Sequence, residues 1–239
     1  MTHQIKSNIP NTVTCLNLFS GCIACIMAFK TEYELALLFI LFSAVFDFFD
    51  GMLARLLHAP SPIGKELDSL SDNISFGVAP SFIIFSLLNE PDMVYPAFLM
   101  DIREYIPYLA FVMAVFSALR LAKFNIDERQ TSSFIGLPTP ANALFWGSLI
   151  VGEKDFLINH VNGVIILLFV FLFSYLLISE IPMFSLKFKN LSWKGNKVSF
   201  IFLFICIPLL LWLGIRGFSA VILWYIILSL ITKKSKQTF

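Results

Sequence analysis

Along the chain, apolar residues gather into runs bounded by charged residues or by Pro and Gly, at about 9–29, 35–57, 66–88, 106–124, 138–152, 161–179, 197–214 and 216–231. An α-helix rises 1.5 Å per residue, so ~20 residues cross ~30 Å of hydrocarbon. Most of the runs reach that length. The run at 138–152 is short and counts as a span because the charge pattern needs one there. Little more than Gly214 and Gly217 separates the last two runs, which predicts a tight helical hairpin. Pro208, in the middle of the seventh run, predicts a kink. The pattern predicts an all-α polytopic membrane protein with about eight transmembrane helices, folded as a single integral membrane domain over 1–239.

Composition agrees. Residues of the AVILMFWYC set make up 58% of the chain and charged residues 14%, against roughly 25% charged in a soluble domain. That balance excludes a disordered chain and a basic nucleic-acid-binding surface. The four cysteines, Cys15, Cys22, Cys25 and Cys206, all lie in apolar runs, which argues against a secreted disulfide scaffold. The stripe Phe42, Phe46, Phe49 reads as lipid or packing surface. Charge placement supplies the orientation. With eight spans and a cytoplasmic N-terminus, thirteen of the seventeen Lys and Arg fall on the inside, among them Arg55, Lys65, Arg120, Lys123, Arg129, Lys187, Lys189 and Lys234. Only Lys30, Arg103, Lys154 and Arg216 fall outside. The positive-inside rule then places both termini in the cytoplasm, in a cell (inner) membrane. The first run is interrupted by Asn11, Thr12, Thr14 and Asn17 and does not read as a cleavable leader.

Four carboxylates do not suit a plain anchor. Asp47 and Asp50 lie at i,i+3 near the end of the second run, and Asp68 and Asp72 at i,i+4 near the start of the third. Each pair shares a helix face. An antiparallel hairpin would bring all four together at the cytoplasmic interface. A carboxylate at the bilayer centre costs about 2.5–3.5 kcal/mol on insertion scales, so four together need compensation. An oxygen-only donor set suits a hard divalent cation, Mg²⁺ or Mn²⁺, with Ca²⁺ also able to occupy it. No His or Cys belongs to the group, which argues against zinc, and His58 lies in the adjoining loop. The plainer alternative pairs the acids with Arg55 and Lys65 as helix ends. Gly51, inside the helix at a propensity cost of about 1 kcal/mol relative to Ala, suggests that something approaches the backbone there.

Taken together, Asp47, Asp50, Gly51, Ala54, Arg55, Gly64, Asp68 and Asp72 form D-x-x-D-G-x-x-A-R-x8-G-x-x-x-D-x-x-x-D across 26 residues. This resembles the signature of the CDP-alcohol phosphatidyltransferases. The resemblance implies a six-helix catalytic core, here about 9–179, with extra C-terminal helices at about 197–231. It also implies a homodimer that transfers a phosphatidyl group from a CDP-linked lipid to an alcohol and releases CMP. The segments IPNTVTCLNLFSGCIA (9–24), ELDSLSDNISFGVAP (66–80), LRLAKFN (119–125), FIGLPTP (134–140) and SEIPMFSLKFK (179–189) resemble the branch that takes CDP-diacylglycerol and L-serine. Ser71 stands where alanine is more usual, and Lys123 where arginine is more usual. By this resemblance Asp47, Asp50, Asp68 and Asp72 hold the metal, and Asp72 is the catalytic base. Asp47, Gly51, Ala54 and Arg55 border the CDP-lipid, with Thr14, Asn17 and Lys65 as further candidates for its groove. Arg120, Lys123 and Thr139 are the candidates for serine; the alternative for the two cations is topological anchoring. The rival acceptors are glycerol phosphate and inositol phosphate. More distant rivals are a UbiA-like prenyltransferase, whose aspartate motifs lie much farther apart, and an ion transporter, which would spread its acids along a path and show an inverted repeat.

Overall fold

The computed structural model describes residues 2–59, 61–127, 134–184 and 193–236. Pro60, Arg129, Lys187 and Lys189 lie outside the described residues, as do the side chains of Lys6, Lys194, Lys233, Lys234 and Lys236. Every apolar run becomes helix. In chain order these are α1 (Thr2–Phe29), α2 (Tyr33–Leu56), α3 (Pro62–Asp72), a π-helical turn (Asn73–Val78) running into α4 (Ala79–Leu88), α5 (Val112–Ile126), α6 (Thr139–His160), α7 (Gly163–Ile178), α8 (Trp193–Leu213) and α9 (Arg216–Lys236). Two 3₁₀ segments, Ala97–Ile102 and Ile106–Phe111, lead into α5.

Among the described residues, five helical stretches are long and apolar enough to cross a bilayer: Asn8–Phe29, Tyr33–Leu56, Pro62–Leu88, Ile106–Ile126 and Asn196–Leu213. Gly163–Ile178 and Arg216–Thr232 are shorter apolar helices. The chain is a multi-pass membrane protein. The 138–152 run proves to be the first part of a 22-residue helix with a break at Glu153 (φ −130°, ψ 22°). Phe42 and Phe49 are exposed on α2, as a lipid-facing stripe requires. The expected hairpin forms at Gly214, whose φ of +57° suits glycine. The expected kink at Pro208 does not appear as a backbone break; the residue with non-helical angles inside α8 is Asn196.

Side-chain caps fix the starts of α3 and α7, the latter through Asn162 accepting from the Val164 amide. Ser61 caps α3 by accepting from the Gly64 amide at 3.0 Å, with Pro62 at the first helical position. The π turn has a local cause. Pro80 cannot donate an amide hydrogen to the carbonyl four residues back, and just before it the Ala79 amide reaches back five residues to Ile74 O. Such single wide turns recur at functional sites, and this one immediately follows Asp72.

α1 packs along α2 and against α3, the π turn and α4, while α9 packs on α6 and α8. The core runs through Ala24, Ile40, Phe76, Ile83, Met113, Trp146 and Phe173. A two-residue antiparallel ladder ties the segment before α6 to the one after α7: β1 (Phe134–Ile135) with β2 (Pro182–Met183). Gly136 (φ +76°) lies under the end of α7, where a side chain would strike the Leu177 carbonyl, and the Leu137 amide donates to Leu176 O at 2.9 Å.

Candidate functional site

The α2–α3 hairpin brings three of the four expected carboxylates together, and Asp72 stands outside that group. Ligand oxygens of Asp47, Asp50 and Asp68 all lie within 4.8 Å of one another. Carboxylates that close repel one another unless a proton or cation offsets their charge. Asp50 is 6% exposed. Asp50 Oδ2 and Asp68 Oδ1 are buried without a hydrogen-bond partner. Buried carboxylate oxygens in that state call for a counter-charge, and the helix-end alternative does not supply one. Arg55 is exposed, and the Lys65 ammonium is given to the Asn125 carbonyl at 2.9 Å. The donor set is all oxygen, which fits a hard divalent cation.

Asp72 is held differently. It lies within electrostatic reach of the other three carboxylates, yet Asn17 Nδ2 donates to its Oδ1 at 3.1 Å. The Asn17 amide is itself oriented, because Ser75 Oγ donates to Asn17 Oδ1 at 2.7 Å. Ser43 also donates to the Asn17 backbone carbonyl at 3.1 Å. Asn17 is therefore a fully buried hub joining α1, α2 and the π turn, and it is not among the residues that line the cavity beside the carboxylates. Gly21 makes this possible: a side chain there would overlap Ser75.

Beside the three carboxylates opens a cavity of about 240 Å³ lined by Asn11, Thr14, Gly51, Ala54, Gly64 and Lys65, with Asp50 and Asp68 in its wall. A Cβ on Gly51 would meet nothing within 4 Å. The missing side chain thus leaves room in the cavity instead of admitting another helix. Gly64 is the tighter position, since a Cβ there would press on Asn11 Oδ1 at 2.8 Å and Ser61 Oγ at 2.9 Å. Asn11 and Ser61 were not singled out from the sequence; polar residues at the same helix end as the acidic motif were the available signal.

A second cavity, about 290 Å³, lies at the end of α5 and is lined by Arg120, Lys123, Ile135, Leu177, Ser179 and Glu180, among others. Arg120 is 7% exposed and Lys123 is exposed. The Arg120 guanidinium is within electrostatic reach of Asp72, which connects the second cavity to the carboxylates, and its Nε has no hydrogen-bond partner. Thr139 does not reach this cavity: it is 1% exposed at the start of α6, and its hydroxyl is without a partner. α3 and α5 are joined between the cavities by the Lys65 bond and by Asn125 Nδ2 donating to Ser69 Oγ at 2.8 Å.

Comparison with known proteins meets this geometry. The family model for CDP-alcohol phosphatidyltransferase matches residues 7–175, which contain all four carboxylates and Arg120. A Bacillus subtilis protein named CDP-diacylglycerol–serine O-phosphatidyltransferase is 37% identical over 132 residues, covering 55% of this chain and 69% of its own. A protein of the same name from Methanocaldococcus jannaschii is 33% identical over 158 residues, 66% of this chain and 68% of its own. One from Helicobacter pylori is 27% identical over 241 residues, 95% of this chain and 96% of its own. The last extends the likeness through the two C-terminal helices.

Proposed function

The chain belongs to the CDP-alcohol phosphatidyltransferase family, and on that premise we propose that it transfers the phosphatidyl group of CDP-diacylglycerol to the hydroxyl of L-serine, giving phosphatidylserine and CMP. The observation that carries the reading is the cluster of Asp47, Asp50 and Asp68 set between a cavity with room for a donor headgroup and a second cavity with a buried arginine. The names of the similar proteins support serine as acceptor. Two cavities with a carboxylate cluster between them suit a two-substrate transfer better than an ion path or a single-substrate reaction.

The family works with divalent metal ions, and the acidic triad is present here. Asp47, Asp50 and Asp68 would hold Mg²⁺ or Mn²⁺, which supplies charge neutralisation to the diphosphate and polarises the phosphorus under attack. The chain's own residues do the rest. Gly51 and Ala54 leave space for the cytidine side of the donor, and Thr14, Asn11 and Lys65 offer polar contacts along its groove. Arg120 holds the serine carboxylate, with Lys123 as an accessory charge at the mouth. Asp72, fixed through Oδ1 by Asn17, accepts the serine hydroxyl proton through its other oxygen. The serine oxygen forms the new bond to the phosphorus that carries diacylglycerol, the bond from that phosphorus to the CMP oxygen breaks, and CMP leaves with the electron pair. The proton then passes from Asp72 to solvent.

In this reading both termini and the site face the cytoplasm of a cell (inner) membrane, and the protein works as a homodimer. The direct test incubates purified protein with CDP-diacylglycerol and serine, glycerol phosphate or inositol phosphate, with Mg²⁺, Mn²⁺ or chelator, and measures CMP release. Serine- and metal-dependent release is expected. Release with a phosphorylated polyol in place of serine would move the chain to a sister activity. Cysteine labelling at positions 30 and 234 reads the topology, with position 30 expected to label from outside and 234 only after permeabilisation.

A further inference from the structure

Tyr225 lies in α9, beyond the residues matched by the family model, and nothing in the carboxylate motif calls for it. It is 8% exposed, and its hydroxyl donates to the Phe184 carbonyl at 3.1 Å. Its ring lies against Phe184 (centroids 4.9 Å) and Phe202 of α8 (5.9 Å), and these two also meet each other at 5.4 Å. Phe184 directly follows β2, whose partner β1 carries Ile135 into the wall of the cavity at the end of α5. The same wall continues through Leu177, Ser179 and Glu180. One hydroxyl from the C-terminal hairpin thus pins the ladder that shapes one side of that cavity.

The other side of the cavity answers to the same residue. Arg120 is within electrostatic reach of two groups, Asp72 and Tyr225. A hydroxyl that donates its hydrogen to a carbonyl keeps oxygen lone pairs, and the Arg120 guanidinium is a cation within electrostatic reach of that oxygen. A guanidinium holds a carboxylate well only when its planar fork is correctly turned. Asp72 and Tyr225 are the groups that act on it electrostatically, and its Nε has no hydrogen-bond partner.

We infer that Tyr225 is a positioning residue for the acceptor pocket, orienting Arg120 and bracing the β1–β2 wall so that the pocket fits a small acceptor bearing a carboxylate. The inference rests on the acceptor assignment made above. It gives the C-terminal hairpin a task in acceptor selection and not only in membrane anchoring.

The test uses purified full-length protein and compares Tyr225→Phe with wild type, varying serine and CDP-diacylglycerol separately and recording thermal melting alongside. Tyr225→Phe should raise the apparent KM for serine roughly three- to tenfold, the range for one lost hydrogen bond. The KM for CDP-diacylglycerol should stay unchanged, and the melting temperature should fall slightly because the Phe184 carbonyl loses its donor. Phe202→Leu, which disturbs the aromatic contacts and spares the hydroxyl, should lower the melting temperature and leave the serine KM in place. In an Arg120→Ala background Tyr225→Phe should add little, because its effect runs through the arginine. An unchanged serine KM, an equal rise for both substrates, or full additivity with Arg120→Ala overturns the inference. Should wild type release CMP with another alcohol and not with serine, the proposed function fails by itself. The same KM split, measured with that alcohol, then decides on Tyr225.

Discussion

α2 carries charged neighbours at both ends, and the two ends are built on opposite principles. At its start, Tyr33 donates to Glu90 Oε1 at 3.1 Å, the Lys154 ammonium meets the same oxygen at 2.7 Å, and Lys154 lies 5.0 Å from the Tyr33 ring centroid. One acid, one base and one phenol satisfy each other and tie α2, α6 and the segment after α4 together. At its far end, Asp47, Asp50 and Asp68 converge with no ammonium or guanidinium among them, and two of their oxygens have no partner. A bilayer-spanning protein gains nothing in stability from the second arrangement. Charge that is neutralised within the fold holds the fold; charge left for something else to neutralise marks a site.

The contrast can be broken most sharply at the acids. Asp68→Asn or Asp50→Asn should lower CMP release by on the order of 10³ or more, and excess chelator should do the same to wild type. The variant proteins should still insert and melt no lower than metal-free wild type, because a repulsive charge has been removed. Substantial activity in either variant or in chelator would refute the metal assignment. In the second cavity, Arg120→Ala should raise the apparent KM for serine about 10- to 150-fold, the effect of losing a charge-assisted hydrogen bond of roughly 1.5–3 kcal/mol, and the KM for CDP-diacylglycerol much less. Lys123→Ala should do less than Arg120→Ala because its exposed charge is already hydrated. Equal loss for both substrates would move Arg120 to the donor phosphates.

Gly51→Leu should fill the donor cavity and raise the KM for CDP-diacylglycerol at least several-fold. Gly51→Ala should raise it only slightly while adding about 1 kcal/mol of helix stability. A melting gain without a donor effect even in Gly51→Leu would show that the cavity does not take the donor. At the opposite end, Glu90→Gln should behave the other way round. Its ion pair is partly exposed, so the expected loss is about 1 kcal/mol, seen as a lower melting temperature with both KM values within twofold of wild type. A kinetic effect as large as that of Asp50→Asn would abolish the distinction between the two ends.

The eight helical segments and the acidic hairpin were legible in the sequence because both depend on local periodicity. Apolar runs report the solvent around a helix, and carboxylates at i,i+3 and i,i+4 on consecutive helices joined by a short loop have few other places to go. Ser61, Pro62 and Gly64 likewise announce where α3 begins. Long-range partners left no such trace. Asn17 is one polar residue in an apolar run. Only the packing of α1 on α2 and the π turn makes it the support of Asp72 and keeps it out of the cavity beside the carboxylates. Thr139 sits beside the right loop in sequence but turns into the α6 core, whereas Ser179 and Glu180, some forty residues later, line the cavity through the β1–β2 ladder. Tyr225 lies farther still along the chain from the carboxylates. Sequence by itself determined the solvent, the elements and the four acids, because each is set by neighbours within a turn or two of helix. Tertiary structure alone decided what fixes Asp72, where the free volume lies and which helix completes the second cavity. Those depend on contacts between residues far apart in the chain, such as Asn17 with Asp72, which no local pattern encodes.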